Sequence, residues 1–103
     1  MSSPQPDDLP KAPGAISRVM KIVNEKGLHA RASAKFVQLV EKYDATVKVS
    51  RNDDSAGGDS IMGLMMLAAG IGTSITVSAT GPEAKPCIDA LDALVSGKFG
   101  EEE

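Results

Sequence analysis

The chain has 103 residues, a formal net charge of −3 and a pI near 5.1. That length predicts one small domain whose core is of marginal size. The acidic balance and only three aromatic residues, Phe36, Tyr43 and Phe99, exclude a basic nucleic-acid face and a base-stacking platform. The lone Cys87 excludes an internal disulfide and fits a reducing compartment; with the lone His29 it cannot build a Cys2His2 zinc site.

The N-terminus runs from Met1-Ser2-Ser3-Pro4 into acidic, proline-rich sequence, without the basic start and apolar run of a secretory signal. Residues 1–15 hold four of the six prolines together with Asp7, Asp8 and Gly14, and read as a disordered arm. Ile16 to Val23 reads as a strand with Met20 and Ile22 on one face. Asn24-Glu25-Lys26-Gly27 is a turn-like connection. Ala30 to Tyr43 has helical period, with Ala32, Phe36, Leu39, Val40 and Tyr43 on the apolar face and Lys35, Gln38 and Lys42 elsewhere.

Ala45 to Arg51 alternates again, with Val47 and Val49 inward. Residues 52–58 are turn-rich, with room for a short third strand. Ser60 caps a short helix, Ile61 to about Ala69, with Gly70 as its stop. Leu64 and Leu67 suffice for its inner face, which leaves Ile61, Met62 and Met65 as an adaptable apolar surface. Ser60 to Pro82 carries no charge, but its apolar part is too short for a membrane span, and Thr73 to Thr80 alternates as a strand with Ile75, Val77 and Ala79 inward.

Gly81-Pro82 breaks that strand. A last helix, roughly Glu83 to Ser96, buries Ile88, Leu91, Leu94 and Val95. Pro86 is tolerated there only in the first turn, which places the start near Glu83 or Ala84. Cys87 joins the apolar stripe as inert packing. Glu101-Glu102-Glu103 reads as a solvated acidic tail. The order β-α-β-β-α-β-α predicts an α+β fold, an antiparallel sheet with helices on one face.

The candidate chemistry sits in Gly27-Leu28-His29-Ala30-Arg31-Ala32-Ser33. Histidine is a poor N-cap compared with Ser, Thr, Asp or Asn, so its place at a helix entrance suggests function over local stability. Neutral imidazole is abundant near neutral pH and can attack phosphorus. The first helical N–H groups, from Ala30 and Arg31 onward, lack intrahelical acceptors and bind anions. The Arg31 guanidinium adds a rigid fork of donors for phosphate oxygens.

Gly27-Leu28-His29-Ala30-Arg31, followed 31 residues after the histidine by Ser60-Ile61-Met62-Gly63-Leu64-Met65, resembles the HPr family of phosphocarrier proteins of the bacterial phosphoenolpyruvate-dependent phosphotransferase system. The resemblance spans about Ile16 to Phe99. It implies an open-faced β-sandwich over 16–99, with four antiparallel strands and three helices on one face, followed by the acidic tail at 100–103. It implies that His29 is phosphorylated at Nδ1 by the phosphohistidine of enzyme I and donates to an EIIA-type acceptor, with Arg31 flanking the phosphate.

By the same resemblance Ser60 matches a regulatory serine phosphorylated in some lineages by HPr kinase/phosphorylase, and Ile61, Met62 and Met65 match a partner-docking patch. Ala32 stands where many relatives have proline, which softens helix entry without removing a catalytic atom. The Gly-Leu-His-Ala-Arg-Ala-Ser variant resembles the alphaproteobacterial type. The ending Val95-Ser96-Gly97-Lys98-Phe99 with its acidic tail is similar to NPr, the carrier of the nitrogen-related branch.

The expected protein is a cytoplasmic, monomeric transfer intermediate rather than an enzyme. It needs no metal or cofactor of its own and no nucleic-acid or membrane partner, since Mg2+ and phosphoenolpyruvate belong to the upstream enzyme. The rival readings are a regulatory binding module controlled by phosphorylation of Ser60 and an α/β interaction domain without phosphorylation.

Overall fold

The structure, a computed structural model, describes residues 15–101. The arm expected at the N-terminus, apart from Ala15, and the last two residues lie outside the described residues. Along the chain come β1 (Ile16–Lys21), α1 (Ala30–Val40), β2 (Thr46–Arg51), β3 (Asp54–Gly57), α2 (Ile61–Met66), β4 (Ser74–Thr80) and α3 (Ala84–Ser96), closed by a 3-10 turn at Lys98–Gly100. The sheet has the order β1-β4-β2-β3, every pairing antiparallel. This is the expected α+β architecture.

Period-two alternation puts Met20, Val47, Val49, Ile75, Val77 and Ala79 into the core from the sheet. The helices close over them with Phe36, Val37 and Val40 from α1, Leu64 from α2, and Ile88, Leu91 and Val95 from α3. Burying a side chain such as Phe36 contributes about 1.5–3 kcal/mol. Lys21, Thr46 and Lys48 are exposed on the opposite, open face. Arg18 ties β1 to α3 through Asp89 at 2.9 Å and Asp92 at 3.1 Å. These pairs are partly solvated, so water screens much of their attraction.

Several boundaries differ from expectation for identifiable reasons. α1 ends at Val40, and the Lys42 and Tyr43 N–H groups bond to Leu39 and Val40, so the chain tightens to i−3 bonding before Tyr43. α2 ends at Met66 rather than near Ala69, because Ala68 adopts a left-handed conformation (φ +53°) before Gly70 is reached. Pro86 falls in the first turn of α3, where its missing N–H would have had no helical acceptor. Cys87 is fully buried, and desolvation, with Glu83 adding to it, pushes its thiol pKa up.

The largest departure is at the C-terminal end. Glu101, read from sequence as part of a solvated tail, is folded back onto the turn before α1, where its carboxylate meets Asn24 and His29. Phe99 is 1% exposed and anchors this return. Among the described residues no helix is long and apolar enough to cross a membrane.

Candidate phosphoryl-transfer site

His29 is the N-cap of α1, with an extended backbone (φ −73°, ψ −179°). Its carbonyl accepts the Ser33 N–H at 2.8 Å, yet its side chain makes no cap bond. The N–H groups at the start of α1 therefore remain open to an external acceptor.

The turn before the helix is held from several sides. Gly27 adopts φ +63°, and a Cβ there would stand 2.3 Å from the Ala69 carbonyl oxygen, so only glycine fits. That oxygen accepts the Leu28 N–H at 3.0 Å. Ser33 Oγ donates to the Leu28 carbonyl at 3.2 Å, and Asn24 Nδ2 donates to the Gly27 carbonyl at 2.9 Å. These bonds fix the direction in which His29 leaves the backbone.

A cavity of about 290 Å3 opens beside the imidazole, lined also by Glu25, Lys26, Arg31, Lys35, Gly100 and Glu101. Its three cations outnumber its two carboxylates, so the cavity favours an anion. Arg31 is exposed and its guanidinium makes no hydrogen bond or ion pair among the described residues. Lys35 reaches the Phe99 carbonyl at 2.5 Å. His29 Nε2 pairs with Glu101, whose other oxygen accepts from Asn24 Nδ2 at 3.1 Å. The hydrogen bond to His29 holds the Glu101 carboxyl below its ordinary pKa; desolvation opposes this and the Asn24 bond reinforces it.

Ser60 starts α2 differently. Its Oγ accepts the Gly63 N–H at 2.9 Å, an N-cap made as the sequence predicts. Leu64 and Leu67 face inward at 0% and 3% exposure, while Ile61, Met62 and Met65 are 41%, 70% and 39% exposed. A shallower hollow lined by Lys26, Leu28, His29, Met65, Ala68 and Gly70 joins this surface to the imidazole. The structure thus brings His29, Ala30 and Arg31 together at one helix end, with Ser60 heading the neighbouring short helix.

The family described as "PTS HPr component phosphorylation site" matches residues 16–97. The chain belongs to the HPr family. A phosphocarrier protein HPr of Cupriavidus necator is 49% identical over 88 residues, covering 85% of this chain and 99% of that one. A phosphocarrier protein NPr of Shewanella violacea is 38% identical, covering 84% of this chain and 94% of that one. The crystal structure of an HPr from Thermoanaerobacter tengcongensis superposes with a TM-score of 0.81 at 36% identity, covering 85% of this chain and 99% of that one.

Within this HPr fold, sequence reasoning missed four residues, two beside His29 and two at or beyond the end of α2. Glu101 and Asn24 contact or support His29 but carry no periodic or motif signal. Met66, the last residue of α2, and Ile71, beyond it, are further exposed apolar side chains, at 75% and 56%. The signal for Met66 was available: a two-turn helix with two inward leucines has no buried place left for a further methionine.

Proposed function

We propose that this HPr-family chain accepts a phosphoryl group on His29 Nδ1 from the phosphohistidine of enzyme I and passes it to an EIIA-type protein, within a regulatory or nitrogen-related phosphotransferase system. The observation that carries this reading is the meeting of His29 and Arg31 at one net-cationic cavity beside the open amide end of α1. Phosphoryl transfer through a loose transition state needs alignment and charge stabilisation more than covalent assistance. The Ala30 and Arg31 N–H groups and the Arg31 guanidinium supply that charge complement. Arg31 is exposed and bound to no carboxylate among the described residues, so it can engage phosphate oxygens without first breaking another of those bonds. Its exposure also limits how tightly it holds them, as a carrier that must release the group requires.

The test is incubation with enzyme I and phosphoenolpyruvate, read by intact mass and by the acid lability of phosphohistidine. Wild-type protein should gain one acid-labile phosphate and His29→Ala none. A folded wild type that takes up no label would remove this reading in favour of a module controlled through Ser60.

A regulatory role for Ser60 draws on its place at the head of an exposed apolar helix. Ile61, Met62 and Met65 would dock enzyme I and the acceptor there. Phosphorylation of Ser60 by an HPr kinase/phosphorylase would add up to about −2 charge at the edge of that surface. It would weaken docking while favouring the helix end it sits on. Kinase-treated protein should accept phosphate on His29 more slowly, and an unchanged rate would remove the regulatory role.

A further inference from the structure

The C-terminal return beside His29 is built at evident cost. Lys98 and Phe99 lie in the left-handed region at φ +59° and +56°, followed by Gly100 at φ +75°. Side-chain-bearing residues adopt that conformation rarely and only where the surroundings impose it. Here the buried Phe99 ring and the Lys35 bond to the Phe99 carbonyl impose it. The result is a Glu101 side chain only 15% exposed, set between Asn24 and His29.

Asn24 is the second unusual feature. Its side chain is fully buried, and its Nδ2 donates to both the Gly27 carbonyl and Glu101 Oε1. Both partners are pure acceptors, so the amide cannot be turned round. Its Oδ1 is consequently buried without a partner among the described residues. A buried polar atom left unpaired is rare and calls for a reason. One amide group serves the turn that aims His29 and the carboxylate that meets it, and the stranded oxygen follows from that double duty.

We infer that Glu101, held by Asn24, is a positioning residue for His29, keeping the imidazole proton on Nε2 so that Nδ1 presents its lone pair to phosphorus. This rests on His29 being the phosphoryl acceptor. An ionised carboxylate only accepts hydrogen bonds, so the ring nitrogen facing it must carry the proton. Nδ1 has no partner among the described residues. During acceptance the Nδ1 lone pair forms the new N–P bond while the bond from phosphorus to the donor imidazole breaks, its electron pair returning to the donor ring. The His29 ring becomes an imidazolium whose proton stays on Nε2, against the Glu101 charge. During delivery the N–P electron pair returns to Nδ1. Because Nε2 has kept its proton, the leaving group is neutral imidazole rather than imidazolate. One carboxylate thus assists both directions of transfer.

Three variants of the full chain test this: Glu101→Gln, Glu101→Ala and the double variant Asn24→Ala/Glu101→Gln. The His29 tautomer is read from imidazole 15N shifts of the unphosphorylated protein near pH 8, and the phosphorylation rate is measured with enzyme I. In Glu101→Gln, Asn24 Nδ2 still demands an acceptor, so the new carbonyl turns to it and the new NH2 faces His29. Nε2 must then accept, and the proton moves to Nδ1. The expected result is a reversed tautomer and transfer slowed by roughly tenfold or more. Glu101→Ala merely removes the partner and slows transfer less. Removing Asn24 as well frees the glutamine amide to turn, and the rate should recover toward that of Glu101→Ala.

A packing role alone predicts the opposite order, with alanine the more damaging substitution and the tautomer unchanged in Glu101→Gln. Retention of the Nε2 proton in Glu101→Gln, or a wild-type rate for it, overturns the inference while the acceptor assignment stands. Absence of label on His29 in the wild type removes the acceptor assignment itself, and the 15N shifts still report separately on the contact with Glu101.

Discussion

At the start of α2, Ser60 closes its own helix with an Oγ bond to the Gly63 N–H. At the start of α1, His29 makes no such bond and turns its ring to Glu101, 72 residues further on. Both residues are N-caps with extended backbone, and both helices pack against each other. The difference lies in what each end leaves unsatisfied. Ser60 uses its side chain to pair an N–H that would otherwise need an external acceptor. His29 leaves the amides of α1 open, Arg31 and Lys35 line the cavity beside it, and in the proposed function that end receives the phosphoryl group. A stable cap and a ready anion site are alternative uses of the same backbone groups.

The strongest challenge to this contrast is Arg31→Ala. Losing the guanidinium should slow acceptance of phosphate by about tenfold to a hundredfold, since a single charged donor is removed from the site. The thermal midpoint should stay within experimental error, because the Arg31 side chain makes no hydrogen bond or ion pair among the described residues. An unchanged rate in stopped-flow or quenched labelling would take Arg31 out of the mechanism and leave the amides alone.

Ser60→Ala should show the reverse profile. Losing the cap costs about 1 kcal/mol, which lowers the thermal midpoint by about 4–8 °C in a domain of this size. Phosphate uptake on His29 should persist. Calorimetry beside intact-mass labelling checks both halves, and lost labelling with an intact fold would erase the distinction between the two ends.

Acid should produce the smallest effect and should separate the two ends further. The folded-state pKa of Glu101 is lowered, chiefly by its hydrogen bond with His29. Its stabilising contribution is therefore fully present above the unfolded carboxylate pKa of about 4.3 and lost as pH falls through the lowered folded value. Asp89, lowered first by Lys85 and then by Arg18, adds a contribution of the same sign. Stability should decline below about pH 4, with the amide signals of 98–101 shifting first, while the Ser60 cap bond, which contains no titratable group, persists. Glu101→Gln should flatten part of that decline, and a pH profile identical to wild type would show that Glu101 contributes nothing to it.

Much of this molecule could be read from local pattern. Alternation located Met20, Val47, Val49, Ile75, Val77 and Ala79 on the inner face of the sheet, and helical spacing located Phe36, Ile88 and Leu91. His29 and Arg31 stood out because a phosphate-handling residue set is local by nature: a nucleophile, a helix start and a cation within three positions. Helix ends were read less well. Ala68 stops α2 in a left-handed conformation that no propensity of alanine predicts, and the carbonyls on either side of it, of Leu67 and Ala69, accept bonds from the distant Arg51 and Leu28.

The Glu101 contact was out of reach for a sharper reason. Three glutamates at a terminus have the composition of a solvated tail, and composition carries no information about a return made by Phe99. By itself, then, the sequence determined the order of elements, the inner faces and the helix entrance that holds the histidine, because hydrophobic period and capping chemistry act over a few neighbouring residues. Only the tertiary structure decided which group orients that histidine. A left-handed turn, a buried phenylalanine and a stranded asparagine oxygen bring together residues far apart in the chain, and such a contact leaves no periodic trace.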